Sequence, residues 1–139
     1  MGFPISAVYL AAALLAVGAP VSAAEWFVAP GGSGNGARTA PFGRVQDGLA
    51  AANAGDTVSI LPGTYPESIT TVRSGSAGMP IRLHAVGGVG SVVLTARGRV
   101  LRVDHAYFTV EGVVIDGQYG AADTVDVNTE AHFLTLRDT

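Results

Sequence analysis

The chain lacks cysteine and lysine altogether, and both absences narrow what it can do. Without cysteine it can form neither a disulfide bond nor a lipoprotein linkage. All eight basic residues are arginines, and the formal net charge is -3. Since the arginines form no cluster of the kind that releases counterions from nucleic acid, neither nucleic acid nor an anionic membrane surface is an expected partner.

Charged residues are also scarce, whereas glycine is abundant with 19 residues, a balance typical of many short strands joined by tight turns.

The apolar run from Ile5 to Val17 has the length of a signal-peptide core, and small residues from Val21 to Ala24 supply a cleavage site before Glu25. We interpret residues 1–24 as a signal peptide, although no Lys or Arg precedes the apolar run; an uncleaved anchor is the alternative. The sequence thus predicts a secreted, periplasmic or cell-surface protein with no membrane contact after cleavage.

The remaining residues 25–139 suffice for one domain with a core. Its central stretch runs from Gly55 to Glu67, where apolar and polar residues alternate over Thr57–Leu61, as in a short strand. Pro62-Gly63 then predicts a tight corner, because Pro62 cannot donate to a sheet and Gly63 accepts positive φ. A new extended run follows from Ser68 to Val72.

A short strand over Glu25–Pro30 and a glycine-rich loop over Gly31–Gly36 precede this stretch. The loop lacks the Gly-Lys-Ser/Thr of a phosphate-binding loop, so we interpret it as a surface turn and predict no cofactor-binding residue. A helix is predicted over about 41–53, with Thr39 as its cap and Pro41 in its first turn. Its apolar stripe consists of Phe42, Val45, Leu49 and Ala52.

Apolar runs then recur along the chain, with starts separated by 23, 19 and 25 residues. The first set is Val58–Leu61, Ile81–Val86, Val100–Val103 and Val125–Val127, and the interleaved set is Ser68–Val72, Val92–Leu94, Phe108–Ile115 and Phe133–Leu136. Residues 100–111 and 125–137 echo each other imperfectly, with one-residue slips. This period predicts a solenoid of β-strands. The competing fold is an antiparallel sandwich, for which only Asp116-Gly117 offers a tight hairpin.

Four motifs resemble the opening of the right-handed parallel β-helix proteins of the pectate-lyase-like superfamily; they are Phe27–Gly34, Pro41-Phe42, Gly55–Val58 and Pro62–Tyr65. The resemblance implies an all-β fold, a right-handed parallel β-helix with an amino-terminal capping α-helix. It also implies the amino-terminal part of a secreted, carbohydrate-active protein, a polysaccharide lyase acting on an acidic polysaccharide, with catalytic residues beyond this segment. The alternatives are a non-catalytic surface, adhesion or carbohydrate-binding protein and an inactive fragment.

Stacked strands place equivalent residues one above another about 4.8 Å apart. Arg102 would then lie over Asp126, and Glu111 over Arg137. These pairs are either a charged groove for an acidic sugar polymer or a solvated ladder worth under about 1 kcal/mol per pair. We favour the ladder.

The resemblance also implies Ca²⁺ held on acidic residues and a Lys or Arg base. Oxygen ligands that Ca²⁺ accepts occur at Asp116, Asp123, Asp126 and Asn128, but their spacings of 7, 3 and 2 match no compact calcium loop. Without lysine, the clustered cations that could replace a lysine base are Arg97, Arg99 and Arg102. From these residues we therefore identify neither a catalytic residue nor a metal ligand.

Three histidines lie about one repeat apart, at His84, His105 and His132. Their spacings of 21 and 27 keep poor register, so we expect surface or corner histidines rather than a column.

Phe108 and Phe133 occupy equivalent places in the echo, which predicts a buried aromatic stack, whereas Tyr107 and Tyr119 are candidates for stacking on sugars.

Finally, we expect an uncapped, carboxy-terminally incomplete coil that self-associates through its open end or is marginally stable.

Overall fold

The computed structural model describes residues 23–139, so the predicted signal peptide lies outside the described residues except for its last two. Among residues 23–139, no helix is long and apolar enough to span a membrane. The elements of this part are β1 (Glu25–Val28), α1 (Val45–Ala51), β2 (Thr57–Ile60), β3 (Gly63–Tyr65), β4 (Ile69–Thr70), β5 (Ile81–Ala85), β6 (Val92–Thr95), β7 (Leu101–Val103), β8 (Phe108–Glu111), β9 (Val113–Asp116), β10 (Val125–Val127) and β11 (Leu134–Arg137).

The strands form three sheets, which the chain visits in turn. Sheet I has the order β1-β2-β5-β8-β11, sheet II the order β3-β6-β9 and sheet III the order β4-β7-β10. From β2 onward the chain passes from sheet I to sheet II to sheet III and then repeats, so each circuit adds one strand to every sheet. All eight strand pairings within residues 23–139 are parallel, which confirms a β-rich fold and excludes the antiparallel sandwich for this part of the chain.

The core lies between the sheets because alternate side chains of each strand point inward. In sheet I, Val58, Leu83 and Val110 stack in register and are fully buried. Burial of such side chains contributes roughly 1.5–3 kcal/mol each. The residues on either side of Leu83, Arg82 and His84, point outward, as the alternation predicts.

Glycine sets the sharpest corners. The predicted corner at Pro62-Gly63 is confirmed, because β2 ends at Ile60 and β3 begins at Gly63, which has a φ of 153°. The prediction of one continuous run over Phe108–Ile115 is wrong, because Gly112 at φ 74° separates β8 from β9. A single residue can turn the chain from sheet I to sheet II there because glycine reaches positive φ without steric cost.

The helix is shorter than the predicted 41–53, and Thr39 does not cap it. Pro41 and Phe42 are extended, because the Phe42 amide donates to the Phe27 carbonyl at 2.9 Å and the Phe42 carbonyl accepts from Ala29 at 2.9 Å. This loop thereby pairs with the outer edge of β1. The predicted apolar stripe is confirmed for the buried residues Val45, Leu49 and Ala52.

Side chains from elsewhere hold α1 against the end of the sheets. The Glu67 carboxylate accepts hydrogen bonds from the amides of Val45 (3.1 Å) and Gln46 (2.9 Å), which lie in the first turn of α1. The Gln46 side chain in turn bonds the amide and the carbonyl of Thr70, at 2.8 and 3.0 Å, on the outer edge of β4. The helix end of sheets I and III is thus closed.

The sequence echo is confirmed with the one-residue slips that it allows, because Leu101 faces Val125 at a shift of 24 and Phe108 faces Leu134 at a shift of 26. The shift changes because the β7–β8 turn has four residues and the β10–β11 turn has six. Phe108 is therefore not opposite Phe133.

Candidate functional site

A network of polar side chains lies where the strands of sheet III end. Thr71 directly follows β4, Asp104 follows β7 and Asn128 follows β10. Because parallel strands finish at the same edge of a sheet, these three residues and their neighbours come together. The Thr71 hydroxyl accepts a hydrogen bond from the Asp104 backbone amide, and the Asn128 side chain donates to the Asp104 carboxylate. The network also includes the side chains of Arg102 and His105.

Asp104 is the centre of this network. Its two carboxylate oxygens accept hydrogen bonds from Arg102 Nε at 2.9 and 3.0 Å, and Asn128 Nδ2 donates to Oδ1 at 3.3 Å. The hydrogen bonds from Arg102 lower the pKa of Asp104, and the same contact raises the pKa of Arg102. Asp104 therefore stays an anion and Arg102 a cation at neutral pH.

Thr71 positions the histidine beside this ion pair. Its hydroxyl oxygen is 2.8 Å from His105 Nδ1 and accepts the Asp104 amide at 2.9 Å. Thr71 is buried, so the contact holds the imidazole in place. In the tautomer whose Nδ1–H donates to Thr71, the Nε2 atom of His105 is free to accept a proton.

The predicted columns of charge are confirmed as neighbours but not as ion pairs. Arg102 faces Asp126 across β7 and β10, yet Asp126 pairs with Arg99 at 3.3 Å while Arg102 bonds Asp104. Glu111 likewise faces Arg137, but its carboxylate lies 3.9 Å from His84 Nδ1. Arg102 bonds Asp104, two positions further along the chain, and Arg99 pairs with Asp126 instead, whereas Glu111 approaches His84, its register partner on the neighbouring strand β5.

The candidate calcium ligands do not converge. Asp116 Oδ1 accepts the amide of Gln118, Asp126 pairs with Arg99 and Asn128 donates to Asp104. No group of three or more acidic or histidine side chains in residues 23–139 is arranged to hold a metal ion. These residues therefore do not fit the calcium site that the resemblance implies.

The proposed arginine base is also disfavoured at Arg102. A base must lose its proton easily, whereas the Asp104 contact raises the pKa of Arg102. Arg97 is an exposed side chain and Arg99 is held by Asp126.

The three histidines have separate surroundings rather than forming a column. His84 approaches Glu111 on the outer face of sheet I, His105 contacts Thr71, and the His132 ring meets Phe133 edge-on at 6.5 Å between ring centroids.

The predicted buried stack of Phe108 on Phe133 is wrong. Phe108 is buried, but Phe133 is 68% exposed and stacks on Tyr107 with 4.6 Å between ring centroids. Tyr107 and Phe133 both have positive φ, at 58° and 57°, which turns their side chains out of the core at equivalent corners. Tyr119 is fully exposed in the β9–β10 loop.

Sequence analysis did not single out Thr71 or Asp104. A signal for Asp104 exists, because it follows β7 as Asn128 follows β10, and polar residues after successive parallel strands meet at one edge. Thr71 follows β4 in the same way, but β4 has only two residues and the predicted extended run continues to Val72, so the sequence does not show that the strand ends before Thr71.

Comparison with known proteins found no matching family model, no matching curated protein and no matching solved structure.

Proposed function

We propose that the circuits form a right-handed parallel β-helix and that the protein is a secreted, carbohydrate-active protein that binds an acidic polysaccharide on sheet III. The repeated order of sheets I, II and III supports the coil. Parallel strands joined by crossovers are right-handed in nearly all proteins, which supports the hand. The motifs that resemble pectate-lyase-like proteins, Gly55–Val58 and Pro62–Tyr65, support the carbohydrate assignment.

The observation that carries the binding proposal is the presentation of Arg102 by Asp104. Asp104 holds the Nε side of the guanidinium, and the Arg102 side chain is 40% exposed. A guanidinium binds a carboxylate through two parallel N–H groups, and a carboxylate is the charged group of a uronic acid. His105 and Asn128 lie beside it and can bond sugar hydroxyls.

Titration calorimetry with pectate, alginate and chondroitin sulfate tests this binding, with an uncharged polysaccharide as the reference ligand. Arg102→Gln should weaken binding about tenfold or more, because losing one charge-assisted bidentate contact costs about 1.5–3 kcal/mol. Arg82→Gln is the matched control, since Arg82 is an exposed arginine on sheet I. Equal binding by the two variants, or no binding of any acidic polymer by the native chain, would refute the proposal.

A second candidate function, polysaccharide lyase activity, is favoured by the placement of His105. Imidazole exchanges protons in the neutral range, and His105 Nε2 could accept the proton next to a uronate carboxylate as the glycosidic oxygen leaves and the double bond forms. Following the absorbance of the unsaturated product with and without Ca²⁺, for the native chain and for His105→Gln, tests it. Binding without product would favour a non-catalytic adhesion or carbohydrate-binding protein instead.

A further inference from the structure

The chain immediately before β1 is tied into the fold through the backbone of Ala24. The Ala24 amide donates a hydrogen bond to Asp56 Oδ1 at 2.8 Å, and the Ala24 carbonyl accepts one from the Thr57 amide at 3.0 Å. These two bonds extend the contact between β1 and β2 by one residue before Glu25. Ala24 is therefore part of the folded domain.

Cleavage of the predicted signal peptide before Glu25 would remove both of these contacts. The small residues from Val21 to Ala24 also permit cleavage one bond earlier, between Ala23 and Ala24. Hydrolysis of that bond consumes one water molecule and leaves a carboxylate on Ala23 and an α-ammonium group on Ala24. The new ammonium nitrogen is the same atom that lies 2.8 Å from Asp56 Oδ1.

Asp56 is a buried carboxylate without a cationic partner in the described part of the chain. Its side chain is only 4% exposed, and its Oδ2 atom accepts the Trp26 indole at 3.1 Å and the Asn53 amide at 2.9 Å. Its donors are all neutral, and within residues 23–139 no arginine or histidine side chain forms an ion pair with it. Because a buried charge without an opposite charge is costly, an α-ammonium group at Ala24 would complete this site.

We propose that the signal peptide is cleaved between Ala23 and Ala24, and that the new α-ammonium group of Ala24 forms an ion pair with the Asp56 carboxylate. This cleavage presupposes the export that we propose for the protein. An ammonium group has three N–H donors, so it keeps the hydrogen bond that the Ala24 amide makes and adds a charge to it. The pair fastens the first residue of the exported chain to the segment between α1 and β2.

The amino terminus of the exported product tests the site of cleavage. The full chain is expressed in a bacterium, the exported product is purified, and its first residues are read by stepwise degradation and checked by intact mass. We expect Ala24-Glu25-Trp26. A product that begins at Glu25, or at any other residue, would overturn the assigned site and leave the export standing, whereas a chain that keeps residues 1–23 would overturn both.

The absence of lysine makes the ion pair testable by itself. Acetylation of amines modifies only the α-amino group of this chain, where it removes the positive charge and leaves one N–H donor. The exported chain is acetylated in urea and refolded. We expect its equilibrium constant for urea unfolding to rise about fivefold, because a charge-assisted hydrogen bond is stronger than a neutral one.

Two variants connect this effect to Asp56. In Asp56→Asn the anion is gone, so acetylation should change the unfolding constant by less than about twofold. Asp123→Asn is the matched control, since Asp123 is exposed in the β9–β10 loop, and it should keep the full effect.

Slower acetylation of the folded chain than of the urea-unfolded chain is a readout that needs no variant, because an ammonium group held by a carboxylate gives up its proton less readily. Equal stability of the acetylated and unmodified chains would overturn the ion pair. An effect of the same size in Asp56→Asn would overturn it as well.

Discussion

At the scale of single residues, Asp56 shows how one carboxylate joins distant parts of the chain. Its side chain is buried and accepts hydrogen bonds from the amides of Ala24 (2.8 Å) and Asn53 (2.9 Å) and from the indole of Trp26 (3.1 Å). Burial acts to raise the pKa of Asp56, but these three hydrogen bonds outweigh it and the pKa is lowered. The ionised carboxylate therefore links the start of β1 to the segment that follows α1.

We predict that Asp56→Asn lowers the free energy of unfolding by about 1–3 kcal/mol at pH 7, because an amide cannot accept all three donors. A lowered pKa in the folded state stabilises the protein above the pKa of the unfolded state, about 3.9, and that contribution is lost as pH falls through the folded pKa. The difference between native and variant chains should hence shrink below about pH 4.

Urea unfolding from pH 7 to pH 2.5 measures this difference. Asp123→Asn is the control, since Asp123 is exposed in the β9–β10 loop. A loss of stability in Asp56→Asn that is the same at every pH would show that the ionised form of Asp56 does not matter.

At the scale of elements, α1 has only seven residues and no side-chain cap of its own, with Arg44 at its N-cap position. A helix this short is not stable in isolation. Its stability comes from its buried stripe and from Glu67, which follows β3 and is distant in sequence. The apolar spacing of the stripe was visible in the sequence, whereas the cap was assigned to Thr39 because capping rules consider only local residues.

Glu67→Gln should lower the free energy of unfolding by about 1–2 kcal/mol, because one of the two accepting oxygens becomes a donor facing backbone N–H groups. The variant should also expose the edge of β4, because Glu67 holds the first turn of α1, and the Gln46 side chain in that turn forms the hydrogen bonds to Thr70. Hydrogen exchange of the Thr70 amide, with Glu130→Gln as an exposed control, reports this directly. Unchanged protection of the Thr70 amide in Glu67→Gln would show that Glu67 does not help α1 to cover the edge of β4.

At the scale of the whole molecule, the apolar runs predicted the positions of most strands but not which strands stack. The runs Val58–Leu61 and Ile81–Val86 contain strands of sheet I, whereas Val100–Val103 and Val125–Val127 contain strands of sheet III, so the grouping of these four runs into one set is wrong. The strands are recognisable because each circuit buries alternating residues, as Val58, Leu83 and Val110 do.

The candidate site was harder to predict. Because turn lengths differ, the register shifts between circuits, and Phe133 stacks on Tyr107 rather than on Phe108. Asp126 forms its ion pair with Arg99 rather than with Arg102, its register partner.

The parallel winding of the chain is the claim on which the proposed binding face depends. The chain has no cysteine, so pairs of introduced cysteines test it cleanly. Thr109 and Thr135 are direct partners in β8 and β11, whereas Thr57 and Thr109 are separated by β5. Neighbouring strands are about 4.8 Å apart, within disulfide reach, and second neighbours at about 9.6 Å are beyond it.

The most direct measurement is therefore the yield of the intramolecular disulfide on oxidation of Thr109→Cys/Thr135→Cys and of Thr57→Cys/Thr109→Cys. The parallel winding predicts efficient closure of the first pair and none of the second. Closure of the second pair in preference to the first, or of neither, would contradict it.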